Sequence, residues 1–321
     1  MISLGQYTTN VDILKGKAWT LNDQISSFSG NFTSSTLSVA SSIEPLIQPM
    51  GLTRASLNIG HVFEGQDLTH LLLNDSLEYF QKALYNFNSQ YLLAKNGYKT
   101  WAHVTNYYSS FFSIFSLLSL QGRIISRIKI DGTSKVVVCL LHPIDFRNHI
   151  YVLTTRENTK TSHKLPWLKY YEIYDKYQCL VPQFDIVQLK SFVLEPIDES
   201  VNRNTMNYHI YEGFQEIKNL NSITNFKNEY LNALQSPSIG ETQEQFLLAL
   251  HALATDPELM YFARSALRLI LIKRIFHEIG AVNPLFKTEF ENRIPIWQST
   301  MFDNYNPKQN YYEDFAQTFL C

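Results

Sequence analysis

Arg203 and His209 are the two residues whose types and spacing best suit phosphodiester chemistry, and they stand in the segment Glu199-Ser200-Val201-Asn202-Arg203-Asn204-Thr205-Met206-Asn207-Tyr208-His209-Ile210-Tyr211-Glu212. An arginine guanidinium is a permanently charged, forked donor that fits a scissile phosphate. A histidine titrates near neutrality and can move the proton of a ribose 2′-hydroxyl. RNA brings its own nucleophile, so such a pair can cut it without a metal, with the arginine acting most strongly on the pentavalent transition state. On a helix the five intervening residues put the pair somewhat short of two turns apart, within joint reach of one anion only through long side chains or a local irregularity. Asn204, directly after the arginine, could orient His209 or the phosphate.

Spacing alone discriminates poorly. Ten arginines and nine histidines in 321 residues predict about 0.8 pairs at four- to six-residue separations by chance. Arg156 and His163 form another such pair across six residues, in a polar loop that does not by itself hold two side chains in register. Arg203 and His209 also have ordinary roles open to them. Glu199 lies four residues before Arg203, the spacing of a helical ion pair, and His209 could be a partly buried polar residue between Tyr208 and Tyr211.

Other chemistries lack their residues. With 12 glycines in all, no loop has the density of a dinucleotide or nucleotide-triphosphate cradle. No two histidines stand three or four residues apart, and Cys139, Cys179 and Cys321 are scattered, so no metal is expected. A Gly-x-Ser-x-Gly elbow is missing. Asp75 with Glu78, and Glu241 with Glu244, read as acidic residues of first helical turns, placed for the helix dipole. No cofactor is expected.

The chain is 45% apolar and 17% charged, with a formal net charge of −2, which points to a globular protein with an ordinary core. Bulk electrostatics would not hold it on DNA or an anionic membrane, so any nucleic-acid site must be local. The odd, dispersed cysteines fit reduced thiols in a cytoplasm, and Met1-Ile2-Ser3-Leu4-Gly5-Gln6 lacks the basic and apolar regions of a secretion signal. Tyr107 to Leu120 is too short and too rich in serine to cross a membrane. It reads as a buried helix.

The elements that must position the pair are mainly helical. Residues 1–65 are rich in Ser, Thr and Asn, with one helix over Ser35–Ile47 kinked by Pro45. Asp75 or Ser76 caps a helix through Leu77, Phe80, Leu84, Phe87 and Tyr91 that stops at Asn96-Gly97. Lys99 to Gly122 carries Trp101, Val104, Tyr108, Phe111, Phe112, Phe115 and Leu118 with small serines between, so the two make an antiparallel helical pair. Two β-branched runs, Arg123–Ile130 and Val136–Leu141, flank Asp131-Gly132 and predict a hairpin, joined by a third strand at Ile150–Leu153. Leu165–Tyr177 reads as a helix whose Trp167, Tyr170, Tyr171, Tyr174 and Tyr177 either pack a core or line an RNA groove. Further helices are expected after Pro182, through Asn202 to about Ile217, over Glu241–Ala254 and over Pro257–Ile279.

Asn106-Tyr107-Tyr108-Ser109-Ser110-Phe111-Phe112 in one helix, followed later by Arg203-Asn204 through His209, resembles the HEPN superfamily, whose helices carry a Tyr-Tyr-small-x-Phe core and then Arg, four to six residues, His. His209-Ile210-Tyr211 is also similar to the His-x-Tyr ending of HEPN toxins that pair with a nucleotidyltransferase antitoxin. In that group the tyrosine can be adenylylated, and four residues, rather than the five here, separate Arg from His. The resemblance covers about residues 70–217. It implies a HEPN-like antiparallel bundle at 70–217 with a β insertion at about 123–155, between an N-terminal segment 1–69 and a C-terminal helical region 218–321. It further implies an RNA-cutting toxin or antiviral effector that leaves a 2′,3′-cyclic phosphate, a homodimer, and a partnering antitoxin or sensor. Arg203, His209 and Asn204 would be its catalytic set and Tyr211 a modification site. Two rival readings remain: a non-catalytic HEPN-like scaffold or sensor that binds a partner protein or nucleotide, and a helical adaptor unrelated to that family.

Overall fold

The computed structural model describes residues 19–30, 32–35, 37–47, 51, 60–65, 68–129, 136–145, 148–155, 164–192, 201, 204, 206, 247, 251, 254 and 259–302. The protein is mainly helical. In chain order it has α1 (Leu21–Ser27), α2 (Val39–Ile47), β1 (His61–Glu64), α3 (Leu68–Lys95), α4 (Lys99–Leu120), β2 (Ile124–Lys129), β3 (Val136–Asp145), β4 (Ile150–Thr155), α5 (Lys164–Tyr171), a 3-10 helix (Tyr174–Leu180), α6 (Ile186–Ser191), α7 (Met260–Val282) and α8 (Pro284–Phe302). No helix among the described residues is long and apolar enough to cross a membrane. The chain forms two compact units, one of Met1–Glu78, Phe115–Lys176 and Ile275–Glu289, the other of Tyr79–Ile114, Tyr177–Arg274 and Phe290–Cys321.

The helical pair is present, and its ends show why it forms. At Gly97, φ is +83°, with Tyr98 N–H donating to the Leu93 carbonyl at 2.9 Å and Gly97 N–H to that of Ala94 at 2.9 Å. That double bond pattern closes a helix on a left-handed residue, which glycine adopts without a Cβ penalty. Gly122 repeats it at the end of α4, with φ +66° and Arg123 N–H on the Leu118 carbonyl at 2.8 Å. Small serines let the two backbones approach. In the first unit Ser76 Oγ and Ser116 Oγ lie 2.8 Å apart, and each hydroxyl also donates to the other residue's carbonyl, at 3.1 and 2.9 Å. In the second unit Ser109 donates to the Ala83 carbonyl at 2.9 Å.

The start of α3 corrects the sequence reading. The helix begins at Leu68, and Asp75 and Ser76 are buried in its interior. Leu71, Leu72 and Leu73 are buried too, and this apolar run carries the helix back past the residues that look like a cap. Asp75 therefore does not serve its own helix: its carboxylate accepts the N–H of Val39, first residue of α2, at 3.0 Å. Asn74 beside it donates to the Ser35 carbonyl at 2.7 Å. The N-terminal helix accordingly starts at Val39, not Ser35, with Pro45 inside it.

In the first unit the hairpin is part of a four-stranded antiparallel sheet in the order β1-β4-β3-β2. Ile124 pairs with Leu141 and Lys129 with Val136, as the two β-branched runs predict. β4 pairs with β3. The short strand β1, unmarked in the sequence, covers the far side of β4, His61 opposite Leu153 and Glu64 opposite Ile150. Pro143 has no N–H to give the ladder, and the register shifts between it and Asp145. Ile144, Ile150 and Val152, with Val62 against them, form the apolar face of the sheet.

Four polar ties complete this unit. Trp19 and Gln121 clamp each other, backbone N–H to Oε1 at 2.9 Å and Nε2 to carbonyl at 3.0 Å. A capping box of Thr20 and Asp23 opens α1. Buried Arg123 pairs with Glu172 at 2.8 Å, where the predicted Leu165–Tyr177 helix breaks into α5 and a 3-10 helix. Asn283 donates to the carbonyls of Phe28 and Gly30, both at 2.8 Å, and its Oδ1 caps α8 through Phe286 N–H at 3.1 Å. Pro284 stands at the first helical position, where its missing N–H costs nothing.

The second unit is packed through aromatics and α7. Phe87 stacks on Phe262 with ring centroids 5.1 Å apart, and Phe80 meets Trp297 edge-on at 5.5 Å. Ser110 and Ser265 share a 2.6 Å hydrogen bond. Arg268 is buried, donating to the Phe192 carbonyl at 3.3 Å, and Arg274 donates to the carbonyl of Leu180. The predicted helix over Pro257–Ile279 corresponds to α7, shifted by about one turn.

Candidate functional site

Of the predicted catalytic set, Asn204 is described. It lies in helical backbone, as do Val201 and Met206, and is exposed. Arg203, His209 and Tyr211 lie outside the described residues, as do Arg156 and His163. Arg54 and His61 also have six residues between them. His61 lies on β1, and partial burial lowers its pKa below the ordinary histidine value; Arg54 is outside the described residues. The aromatics after Trp167 divide in favour of a core, since Trp167, Tyr170 and Tyr177 are buried. Among the described residues no three of His, Cys, Asp or Glu gather as a metal-ligand set.

The first unit holds a partly enclosed cavity of about 600 Å³ that local spacing does not announce. It is lined by Ser27, Phe28, Phe32, Thr69, His70 and His149, with Gly30, Thr33, Leu73 and Asn283 completing the wall. Two elements position its histidines. Thr69 and His70 belong to the first turn of α3, while His149 ends the β3–β4 turn just before Ile150. His149 is a non-glycine residue in left-handed backbone, φ +56°, a conformation histidine adopts more readily than most side chains. Its carbonyl accepts Gly65 N–H at 2.9 Å, and its Nδ1 is hydrogen bonded to Thr69 Oγ1 at 2.7 Å. Backbone and ring are thus both fixed.

A chain of hydroxyls runs behind the imidazole. Thr69 Oγ1 lies 3.2 Å from the hydroxyl of Tyr151, which is fully buried on β4. Burial pushes the Tyr151 phenol well above the ordinary tyrosine range, with the Thr69 hydrogen bond opposing it weakly. It stays a neutral O–H at any physiological pH. If that O–H donates to Thr69, Thr69 donates to Nδ1 and His149 carries its proton on Nε2; the opposite order makes Nε2 an acceptor. In both tautomers Nε2 has no hydrogen-bond partner among the described residues. No protein-family model, curated protein or solved structure matches this chain.

Proposed function

We propose that this protein is a metal-independent endoribonuclease of the HEPN type, the toxic effector of a toxin–antitoxin or antiviral system acting in the cytoplasm. The observation that carries the reading is the order Asn106–Phe112, then Arg203-Asn204, then His209, with the first motif on α4 and Asn204 exposed on helical backbone. In the reaction His209 takes the proton of a ribose 2′-hydroxyl, the oxygen attacks the adjacent phosphorus, and the 5′-oxygen leaves with a proton returned to it. The products are a 2′,3′-cyclic phosphate and a 5′-hydroxyl. Arg203 holds the phosphate oxygens, and Asn204 orients His209 or the phosphate. Two copies would face their Arg–His sets across a shared cleft, and an antitoxin acting through Tyr211 would silence them.

The second unit offers RNA a suitable surface. Between Glu78 and Asp131 the sequence contains no acidic residue, while Lys82, Lys95 and Lys99 fall within it. At the α3–α4 turn Tyr98 and Trp101 are about half exposed, 53% and 48%, and aromatic faces beside lysines are what unpaired bases stack on. A second reading, a non-catalytic sensor subunit, is favoured by the cavity of the first unit, which has room for a small ligand.

Purified wild-type, Arg203→Ala and His209→Ala proteins, incubated with total and transfer RNA in excess EDTA, separate the two. Cleavage by wild type alone, with cyclic phosphate ends, is expected. A folded wild-type protein that leaves every RNA intact, alone and as a dimer, would transfer the assignment to the sensor reading.

A further inference from the structure

We infer that the cavity of the first unit is a binding site for a small organic phosphate, held between His70 and His149. The inference uses none of the residues of the ribonuclease reading. A volume of about 600 Å³ is in the range of small-molecule sites and far exceeds a bare phosphate ion. The lining divides accordingly, with the hydroxyls of Ser27, Thr33 and Thr69 and the two imidazoles on the polar side, and Phe28, Phe32 and Leu73 for an organic moiety.

The two histidines are the only titratable side chains among the described residues that line the site. His149 is anchored through Nδ1 alone, and neither nitrogen of His70 has a hydrogen-bond partner among the described residues. The described charged groups on the surrounding elements do not line the cavity. Asp23 on α1 is engaged with Thr20, Glu64 ends β1, Asp145 holds Asn148 through both carboxylate oxygens, and Glu289 on α8 reaches Ser34 at 3.5 Å. Lys287 packs beside Gly280. An imidazole N–H donates well to a phosphate oxygen. The Ser27 hydroxyl is spent on the Asp23 carbonyl at 2.7 Å and that of Thr69 on His149 and Tyr151, so His70, the Nε2 side of His149 and the Thr33 hydroxyl are the groups left for a ligand. With no carboxylate among the described residues that line the cavity, they match a phosphate with its several acceptor oxygens. The wall is also preorganised: Asn283 fixes the carbonyls of Phe28 and Gly30, and His149 is held at both backbone and ring. Little ordering is left for a ligand to impose.

Calorimetric titration of the full chain with adenosine monophosphate, ribose 5-phosphate, inorganic phosphate and citrate, at pH about 6.5, tests this. The organic phosphates should bind, and more tightly than inorganic phosphate. Binding should be lost in the His70→Gln/His149→Asn variant, in which asparagine keeps the left-handed backbone accessible. In the wild-type protein the imidazole C2–H resonances of His70 and His149 should shift on adding adenosine monophosphate, a readout that needs no variant to fold. No heat and no shift with either organic phosphate at millimolar concentration and pH about 6.5 would overturn the inference. So would undiminished binding by the double variant, or capture of citrate in preference to the phosphates, which would assign the cavity to carboxylates.

Discussion

Asp75, buried within α3, accepts the backbone N–H of Val39 at 3.0 Å and so caps α2, a helix to which it does not belong. A helix N-terminus leaves unsatisfied N–H donors that an acidic side chain meets well, by hydrogen bond and by charge. Ser38, just before the helix, accepts the N–H of Ser41 in the usual way at 3.2 Å, whereas the donor of Val39 is met from a different helix, distant in the sequence. Asp75→Ala should destabilise the protein by about 1–3 kcal/mol, and Asp75→Asn by less, because an amide oxygen still accepts. Urea unfolding of the three proteins checks this, and a midpoint for Asp75→Ala equal to that of wild type would refute the capping role.

Ser116 makes a different demand, for smallness. It is fully buried and exchanges hydrogen bonds with Ser76, so the helical backbones there leave no room for a branched side chain. Ser116→Ala should cost about 1 kcal/mol, through loss of the bond its hydroxyl donates to the Ser76 carbonyl, while the Ser76 hydroxyl keeps the carbonyl of residue 116. Ser116→Leu should cost about 3 kcal/mol by overpacking. A leucine variant as stable as the alanine one would show that the helices separate easily at this level.

His61 gives a dependence on pH. Desolvation on β1 lowers its pKa below the usual histidine value, so the unfolded chain binds its proton more readily than the folded one. The sign follows from linkage: the contribution is present above the unfolded pKa of about 6.5 and is lost as pH falls through that value toward the folded one. Thermal melts of wild type and His61→Gln across about pH 5 to 8 should show the wild-type protein losing more stability on the acid side. Parallel curves would mean that His61 titrates alike in both states.

What could be read in the sequence was whatever depends on neighbours along the chain. The α3–α4 pair was legible because Leu77, Phe80, Leu84 and Phe87 repeat at helical intervals up to Asn96-Gly97, and the β2–β3 register because two β-branched runs flank Asp131-Gly132. The true start of α3 was hidden, since an interior Asp-Ser pair in a leucine-rich helix looks the same as a cap until its partner, Val39, is known. β1 is four residues long and gives too short a pattern. His70 and His149 escaped for a stronger reason. They line one cavity only because a sheet turn and a helix start both border it, and no local period encodes that. The Arg203–His209 motif was legible as a motif, and Asn204 on exposed helical backbone is the part of it that the described structure places.

The first unit is assembled from three separated stretches of chain, the last of them Ile275–Glu289, and this has a consequence for how the protein is made. Asn283 ties down the carbonyls of Phe28 and Gly30, which precede it by more than 250 residues, and Phe286 supplies the edge-on partner of Phe32 at 5.3 Å. On the ribosome, the N-terminal residues therefore wait for nearly the whole chain to be translated before their wall can close. Closing a contact between such distant residues is slow compared with forming a helical hairpin. A nascent chain arrested before Asn283 should leave this wall open to proteases, while the α3–α4 hairpin is already formed.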